Sequence, residues 1–358
     1  MRLLLATLAA TCLTSGISSK PILDSNPHLV GFSGTNGVWN HTVPSNLPVV
    51  VKPTPRVATP IAAPKVVPIK GAKVVTYIDY QRTWGQSGAD YGVPGTVPKN
   101  SYNVVNLAFW LSYGAYDAAY TWTQLDAATR QSYIDSFHAA GVNVLVSVFG
   151  SAEWPVTGYK DPVATANNLA AFIKTYGLDG ADVDWEDNNA MEAGTGEKWL
   201  ISFHNTLRAA LPSPYIITHA PQAPYFFVNP KQYPNGAYNA VHKAVGSTID
   251  WYNVQFYNQG TTKYDTCDTL LNKSDGFFNG TSLYEIANNG FGIPANKLII
   301  GKPVTPAGAS NTGYMDVSLL ANCLKQAKSK GWNGGAMGWQ YSLDTSGTWS
   351  NQLASALQ

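Results

Sequence analysis

Eight short apolar runs rich in Val and Ile, most of them parted by helical patterns, predict a (β/α)8 barrel, the TIM-barrel class of α/β fold. The runs lie within residues 71–358, and a span of roughly 290 residues fits such a barrel. An open doubly wound sheet is the competing architecture. No Gly-x-Gly-x-x-Gly follows the first run, which counts against the dinucleotide-binding version of that sheet.

The elements follow in a regular order along the chain. The predicted strands are residues 74–78, 104–109, 142–148, 178–186, 216–220, 251–257, 298–301 and 334–339. The predicted helices are residues 125–140, 163–176, 196–211, 266–271, 282–289, 317–330 and 350–357. Because function in such a barrel collects at the C-terminal ends of the strands, Glu186, Tyr257 and Trp339 are expected at one rim.

The fourth predicted strand carries an unusual row of acids. Asp182, Asp184 and Glu186 alternate with Ala, Val and Trp, so on a strand the acids share one face, about 6–7 Å apart. Burial and like charge both raise a carboxyl pKa, so three such groups cannot all be charged and buried. A solvated strand edge or a calcium site is the alternative, but the glycine and loop of an EF-hand are missing. The row therefore predicts a site where protons are transferred.

The composition indicates a neutral, aromatic-rich protein. The chain of 358 residues has 45% apolar and 13% charged residues, a net charge of +1, and 11 Trp and 20 Tyr. Near-zero charge gives no reason to expect nucleic acid or an anionic membrane as a partner. Aromatic faces suit sugar binding, although core packing explains them equally. No His-Glu-x-x-His, Cys-x-x-Cys or phosphate loop is present, so no metal and no cofactor is expected, and the protein is expected to be a monomer.

Residues 1–70 differ from the rest of the chain. Residues 1–19 have the basic start, apolar run and small-residue end of a secretory signal peptide, which predicts a secreted, extracellular glycoprotein. Residues 20–70 carry recurrent prolines and are predicted to be an extended linker, so that residues 71–358 fold alone as the catalytic domain. The alternative is an arm that packs along the barrel.

Two further features agree with secretion. Glycosylation sequons begin at Asn40, Asn272 and Asn279. Once Cys12 is removed with the signal, Cys267 and Cys323 remain, an even number in an oxidising compartment. A disulfide between them is therefore predicted.

The acidic strand resembles a known family signature. Residues 179–186 read Asp-Gly-Ala-Asp-Val-Asp-Trp-Glu, similar to the Asp-Gly-x-Asp-x-Asp-x-Glu of glycoside hydrolase family 18, the family of chitinases. Ser147-Val-Phe-Gly resembles its Ser-x-Gly-Gly, with Phe149 in place of the first glycine. Gln255-Phe-Tyr257-Asn258 resembles the Gln-x-Tyr-Asn of its plant and fungal class III branch, and Trp339 its tryptophan floor. The likeness covers residues 72–358.

The resemblance implies a role for each of these residues. Glu186 would protonate the glycosidic oxygen while the 2-acetamido carbonyl of the substrate attacks the anomeric carbon. Asp184 would hold the acetamido N–H, and Tyr257 would donate to the acetamido oxygen. Asp182 would share a proton with Asp184, and Ser147 would hydrogen-bond that buried pair. Trp339 would lie under a sugar ring, Gln255 and Asn258 would bind substrate or hold a loop, and Trp84 and Trp110 would be sugar platforms or core.

Three functions remain open from the sequence. The first is a secreted, endo-acting chitinase that hydrolyses β-1,4-N-acetylglucosamine linkages with retention. The second is an endo-β-N-acetylglucosaminidase that cuts the chitobiose core of N-glycans with the same acids. The third is an inactive chitin-binding lectin or an inhibitor, which the complete set of acids disfavours. The short segment 303–316 leaves no room for a groove-deepening insertion, so a shallow, open groove is expected.

Overall fold

The computed structural model describes residues 66–79 and 101–358, and within them eight parallel strands form a closed barrel. The strands pair in the order β1-β9-β8-β7-β6-β5-β4-β2, and β2 pairs with β1 to close the ring. The predicted TIM barrel is confirmed. The strands are β1 (Lys73–Ile78), β2 (Val104–Leu111), β3 (Gly114–Ala115, an antiparallel extension of β2), β4 (Asn143–Phe149), β5 (Gly180–Asp184), β6 (Ile216–His219), β7 (Tyr252–Gln255), β8 (Leu298–Pro303) and β9 (Gly335–Trp339).

Helices connect the strands, and local sequence sets their ends. In the helix that follows β4, Asp161 accepts a hydrogen bond from the backbone N–H of Ala164, Pro162 begins the first turn, and Gly177 ends the helix in the left-handed conformation at φ 70°. The helices are α1 (Asp117–Gln124), α2 (Ala127–Ala139), α3 (Pro162–Tyr176), α4 (Asn188–Glu192), α5 (Gly196–Ala210), α6 (Ala237–Val245), α7 (Cys267–Leu271), α8 (Leu283–Ala287), α9 (Val317–Ser329) and α10 (Thr348–Leu357).

Several boundaries differ from the sequence predictions. The acidic strand ends at Asp184 and the sixth barrel strand at Gln255, so Glu186 and Tyr257 each lie two residues beyond a strand. The chain there leaves the sheet ladder to form the rim. The helices α1, α4 and α6 were not predicted from the sequence. In α1 the buried face consists of Ala118, Ala119 and Trp122, and two small residues give a weak hydrophobic pattern.

The N-terminal end of the barrel is covered by residues that the sequence assigned to the linker. Val66 and Ile69 pack against the apolar cluster inside the barrel, which includes Trp251. The backbone N–H of Val67 donates to Oδ1 of Asn143 at 2.8 Å, and Nδ2 of Asn143 donates to the carbonyl of Val67 at 2.9 Å. The packed chain therefore extends at least back to residue 66. The signal peptide, linker residues 20–65, Asn40 and Trp84 lie outside the described residues.

A disulfide joins two of the outer helices. Cys267, the first residue of α7, is bonded to Cys323 on α9, with 5.0 Å between the Cα atoms, so the predicted bridge is confirmed. Between residues 66 and 79 and between 101 and 358, none of the helices has the length and apolarity needed to cross a membrane.

Candidate active site

The three acids on and just after the fourth barrel strand lie successively closer to the C-terminal rim of the barrel. Asp182 is completely buried, Asp184 is 5% exposed, and Glu186 is half-buried at the rim. Asp182 and Asp184 share one face of β5 through its usual alternation, and Glu186, two residues beyond the strand, lies 3.5 Å from the Gln255 amide that binds Asp184. Of the three, Glu186 is therefore the carboxyl group placed to meet a molecule that lies on the barrel.

Asp182 accepts four hydrogen bonds inside the barrel. Its Oδ2 accepts from the hydroxyl of Tyr77 at 2.8 Å and from Oγ of Ser147 at 3.0 Å. Its Oδ1 accepts from Oγ1 of Thr218 at 2.5 Å and from Nδ2 of Asn253 at 2.9 Å. Burial raises the pKa of Asp182, whereas these donors favour its charged form. Four donors suit an ionised carboxylate, and the proton shared with Asp184 stays a prediction.

Asp184 lies between the other two acids and accepts a hydrogen bond from the side-chain amide of Gln255. Nε2 of Gln255 donates to Oδ1 of Asp184 at 2.8 Å and to the carbonyl of Ala220 at 3.0 Å, and it lies 3.5 Å from Oε1 of Glu186. Burial raises the pKa of Asp184 well above its usual range, and the nearby charges of Glu186 and then Asp182 raise it further. The side chain of Gln255 thus lies between the carboxyl groups of Asp184 and Glu186. Its contact with substrate stays a prediction.

Tyr257 is a buried hydroxyl beside the acids. It is 5% exposed and packs in the cluster that lines the inside of the barrel. Burial raises its pKa well above the usual range, followed by the charges of Asp184, Glu186 and Asp182. Tyr257 therefore keeps its proton at neutral pH and can act as a hydrogen-bond donor.

Trp339 supplies a partly exposed flat face at the end of β9. Its ring is stacked on Phe109, with 6.1 Å between centroids and 27° between planes, and lies 5.5 Å from the ring of Tyr77. Two aromatic neighbours fix the orientation of the indole. The position fits the predicted sugar floor. Trp110, by contrast, is buried against Phe172 and belongs to the core.

Asn258 holds a loop. Its Oδ1 accepts from the backbone N–H groups of Ser310 at 2.8 Å and Asn311 at 3.3 Å, and its own N–H donates to the carbonyl of Thr312 at 2.8 Å. Its φ of 62° is left-handed, which asparagine tolerates better than most residues. This is the loop-holding alternative that the sequence left open, and substrate contact by Asn258 stays a prediction.

The structure shows how Phe149 is accommodated where the family motif Ser-x-Gly-Gly has its first glycine. It has φ 74° and ψ −80°, a left-handed conformation that glycine adopts without strain. Its ring is completely buried and lies 5.8 Å from Trp199 and 5.6 Å from Phe203. The backbone turn therefore coexists with a phenyl ring in the core, and Ser147 keeps its place beside the acids.

Sequence reasoning missed three donors to Asp182. Thr218 and Asn253 are polar residues within apolar strands, which is the signal that would have identified them. The strand register explains two of the contacts to Asp182, because Ser147, Asp182 and Thr218 are paired at the same level of three adjacent strands. Tyr77 reaches Asp182 from β1, which is not adjacent to β5, and pairing rules do not predict that contact. Across residues 66–79 and 101–358, no group of three or more His, Cys, Asp or Glu is arranged to hold a metal ion.

Comparison with known proteins places this chain among enzymes of one family. A chitinase of Enterococcus faecalis is 27% identical over 308 residues, covering 78% of this chain and 83% of its own length. An acidic endochitinase of Cucumis sativus is 25% identical and is covered to 85%. The crystal structure of a chitinase from Pseudoalteromonas aurantia is 30% identical, covers 80% of this chain and all of its own, and has a TM-score of 0.65.

The family model for glycosyl hydrolases family 18 matches residues 73–352, which include the whole barrel and every acid of the site. A match of that extent shows that the chain belongs to glycosyl hydrolase family 18, as the acidic strand predicted.

Proposed function

We propose that this glycoside hydrolase is a secreted, endo-acting chitinase that cleaves β-1,4-N-acetylglucosamine linkages with retention by substrate-assisted catalysis. The observation that carries the proposal is the set of acids at graded depth, with Glu186 at the rim, Asp184 beneath it and the Tyr257 hydroxyl beside them. Family membership and relatives named as chitinases support the choice of chitin.

The first step requires a proton at the rim. Glu186 is the least buried acid of the row, so it transfers its proton to the glycosidic oxygen as the bond to the anomeric carbon breaks. The carbonyl oxygen of the substrate's own 2-acetamido group attacks that carbon and forms an oxazolinium ion. Water then opens the ion, and Glu186 takes back a proton, which returns the enzyme to its starting state.

The oxazolinium ion needs an anion and a donor that are already in place. Asp184 provides the anion, because the acetamido N–H of the bound substrate donates to its carboxylate and replaces the solvation that burial has removed. Tyr257 donates to the acetamido oxygen. Gln255 holds Asp184 in this orientation through its 2.8 Å hydrogen bond. Trp339 contacts the apolar face of the sugar ring.

The short segment after β8 supports endo action. Only 13 residues, 304–316, lie between the end of β8 and the start of α9, and they contain one short 3₁₀ turn in place of a folded insertion. A chain that can lie across the barrel without threading through a tunnel can be cut internally. Secretion is supported by the signal-like residues 1–19 and by the disulfide.

Product analysis tests the proposal. Incubation with N-acetylglucosamine oligomers is expected to give internal cleavage products whose new reducing ends start as the β-anomer, and a thiazoline analogue of the intermediate is expected to inhibit. Cellulose oligomers and fully deacetylated oligomers should remain intact, since they lack the acetamido group. Cleavage of cello-oligomers would refute substrate assistance, and release of glycans from a high-mannose glycoprotein in preference to chitin cleavage would favour the N-glycan alternative.

A further inference from the structure

Lys302 is a buried lysine that the proposed mechanism does not use. It lies on β8, next to the last residue of the strand, and its side chain is completely buried. Its Nζ donates to three backbone carbonyls, those of Phe256 at 2.8 Å, Tyr264 at 2.6 Å and Gly313 at 2.9 Å. An ammonium group has three protons, so all of them are used by main-chain acceptors.

These carbonyls belong to segments that surround Tyr257. The carbonyl of Phe256 is part of the peptide bond that joins it to Tyr257. Lys302 therefore fixes the orientation of the peptide plane that precedes the Cα atom of Tyr257. Gly313 packs directly against Tyr257: a Cβ added there would lie 2.5 Å from its Cα. On the other side, the N–H of Asn258 donates to the carbonyl of Thr312. The backbone of Tyr257 is thus held before, beside and after its Cα atom.

A buried charge at this place requires a reason. Burial lowers the pKa of Lys302 well below its usual range, opposed by the nearby Asp265, and a charge without partners would be expensive here. Apolar packing of similar volume often serves stability as well as a buried ionic group does. What an apolar side chain cannot do is bind three carbonyls from separate loops at one point.

We propose that Lys302 is a positioning residue for Tyr257, whose hydroxyl it keeps aligned with the acetamido group of the substrate. This inference rests on the proposed function, in which Tyr257 donates to that group during the reaction. Lys302 acts through the backbone of residue 257 and does not touch substrate.

Lys297 offers a matched control in the same protein. It precedes β8 at the opposite end of the barrel, and its Nζ also donates to backbone carbonyls, those of Gly246 at 2.8 Å and Ile249 at 2.5 Å. Both lysines therefore hold loops through main-chain oxygens, and only Lys302 holds the loop of Tyr257. A loss of stability is expected from either substitution, and a loss of catalysis from only one.

The test is a double-mutant cycle on soluble N-acetylglucosamine oligomers. Lys302→Met is expected to lower kcat by about 10- to 100-fold with little change in KM, because a displaced donor weakens the transition state more than binding. Lys297→Met is expected to leave kcat unchanged. In a Tyr257→Phe background, Lys302→Met should cause no further loss, since the hydroxyl that it positions is absent. Equal losses in both backgrounds would overturn the proposal.

Two additions keep the test decisive. If Lys302→Met does not fold, Gly313→Ala serves instead, because its added Cβ displaces Tyr257 by direct contact without removing a charge. This variant should also lower kcat only when the Tyr257 hydroxyl is present. An unchanged kcat would count against the proposal. A 3-fluorotyrosine placed at position 257 alone reports the position of the ring by ¹⁹F NMR without any substrate. Its signal should shift or broaden in Lys302→Met and not in Lys297→Met, even if the wild-type enzyme fails to cleave chitin.

Discussion

The two ends of the eight-stranded barrel differ in the side chains that they bury. At their N-terminal ends, Val66 and Ile69 cover the barrel together with Trp251, and the side-chain amide of Asn143 both donates to and accepts from the backbone of Val67. At their C-terminal ends, the barrel holds buried carboxyl groups whose pKa values are raised. The buried Asp179 at the first end is paired with His138 at 2.9 Å, whereas at the second end the carboxyl groups of Asp184 and Glu186 lie beside one another as like charges.

The difference shows where stability and chemistry are separated in this fold. A residue at the N-terminal end can be changed at a cost to folding and little to catalysis. At the C-terminal end the same kind of change alters the reaction, and it can even stabilise the folded state. Four experiments test that separation.

The largest effect is expected from Glu186→Gln. The amide keeps the size of the side chain and cannot transfer a proton, so turnover should fall on the order of 10²–10⁴-fold with an unchanged Tm. Glu192→Gln, six residues further on in α4, is the matched control, because Glu192 is hydrogen-bonded to Gln232 and lies outside the row of acids. Turnover of Glu186→Gln near the wild-type rate would show that another residue is the acid.

The disulfide is expected to contribute next. It closes a loop with a sequence separation of 56 residues, and its removal in Cys267→Ala/Cys323→Ala should lower the free energy of unfolding by about 2–4 kcal/mol. Urea unfolding measures the loss, and kcat on soluble oligomers should be retained. Unreduced mass spectrometry of the purified protein should find no free thiol at either position, and labelling of both would contradict the bond.

A chain that starts at Gly71 tests the N-terminal end. Compared with one that starts at Val66, it lacks the apolar contacts of Val66 and Ile69 and both hydrogen bonds between Val67 and Asn143. The free energy of unfolding should fall by about 2–3 kcal/mol, from partial apolar burial and two hydrogen bonds, while kcat stays the same. The sequence alone predicted that a chain starting near Gly71 folds and cleaves soluble oligomers like the longer chain, with little change in melting temperature. Equal melting temperatures for the two chains would show that the packed residues do not contribute.

The smallest effect on stability, and the one of opposite sign, is expected from Asp184→Asn. Because the folded state raises the pKa of Asp184, the stability that this group contributes is complete below its unfolded pKa of about 3.9 and is lost as the pH rises through the folded value. A neutral amide avoids that loss, so Asp184→Asn should raise Tm at neutral pH, not at pH 3, and abolish activity. Asp182→Asn is the contrast, because its amide meets four donors and should lower Tm.

The sequence predicted the barrel and the acids for a physical reason. Strands buried on both faces must be continuous apolar runs, and acids that interrupt such a run with period two must face the inside. The contacts around Tyr257 could not be predicted in this way. Lys302 follows Gly301 in a strand and has the appearance of a solvent-facing lysine until the loop containing Gly313 is seen to fold over it. Contacts between loops far apart in the chain leave no periodic signal.

Phe149 has a consequence for how this protein can change. Its left-handed backbone carries strain on the order of 1–3 kcal/mol, which a glycine at this position would relieve. The same substitution would remove a buried ring that contacts Trp185, Trp199 and Phe203, and emptying such a place costs about 3–5 kcal/mol. Substitution by glycine therefore costs stability unless a neighbouring side chain becomes larger and fills the space. The position is entrenched, and descendants of this chain are expected to keep phenylalanine there while the surrounding aromatics change only together.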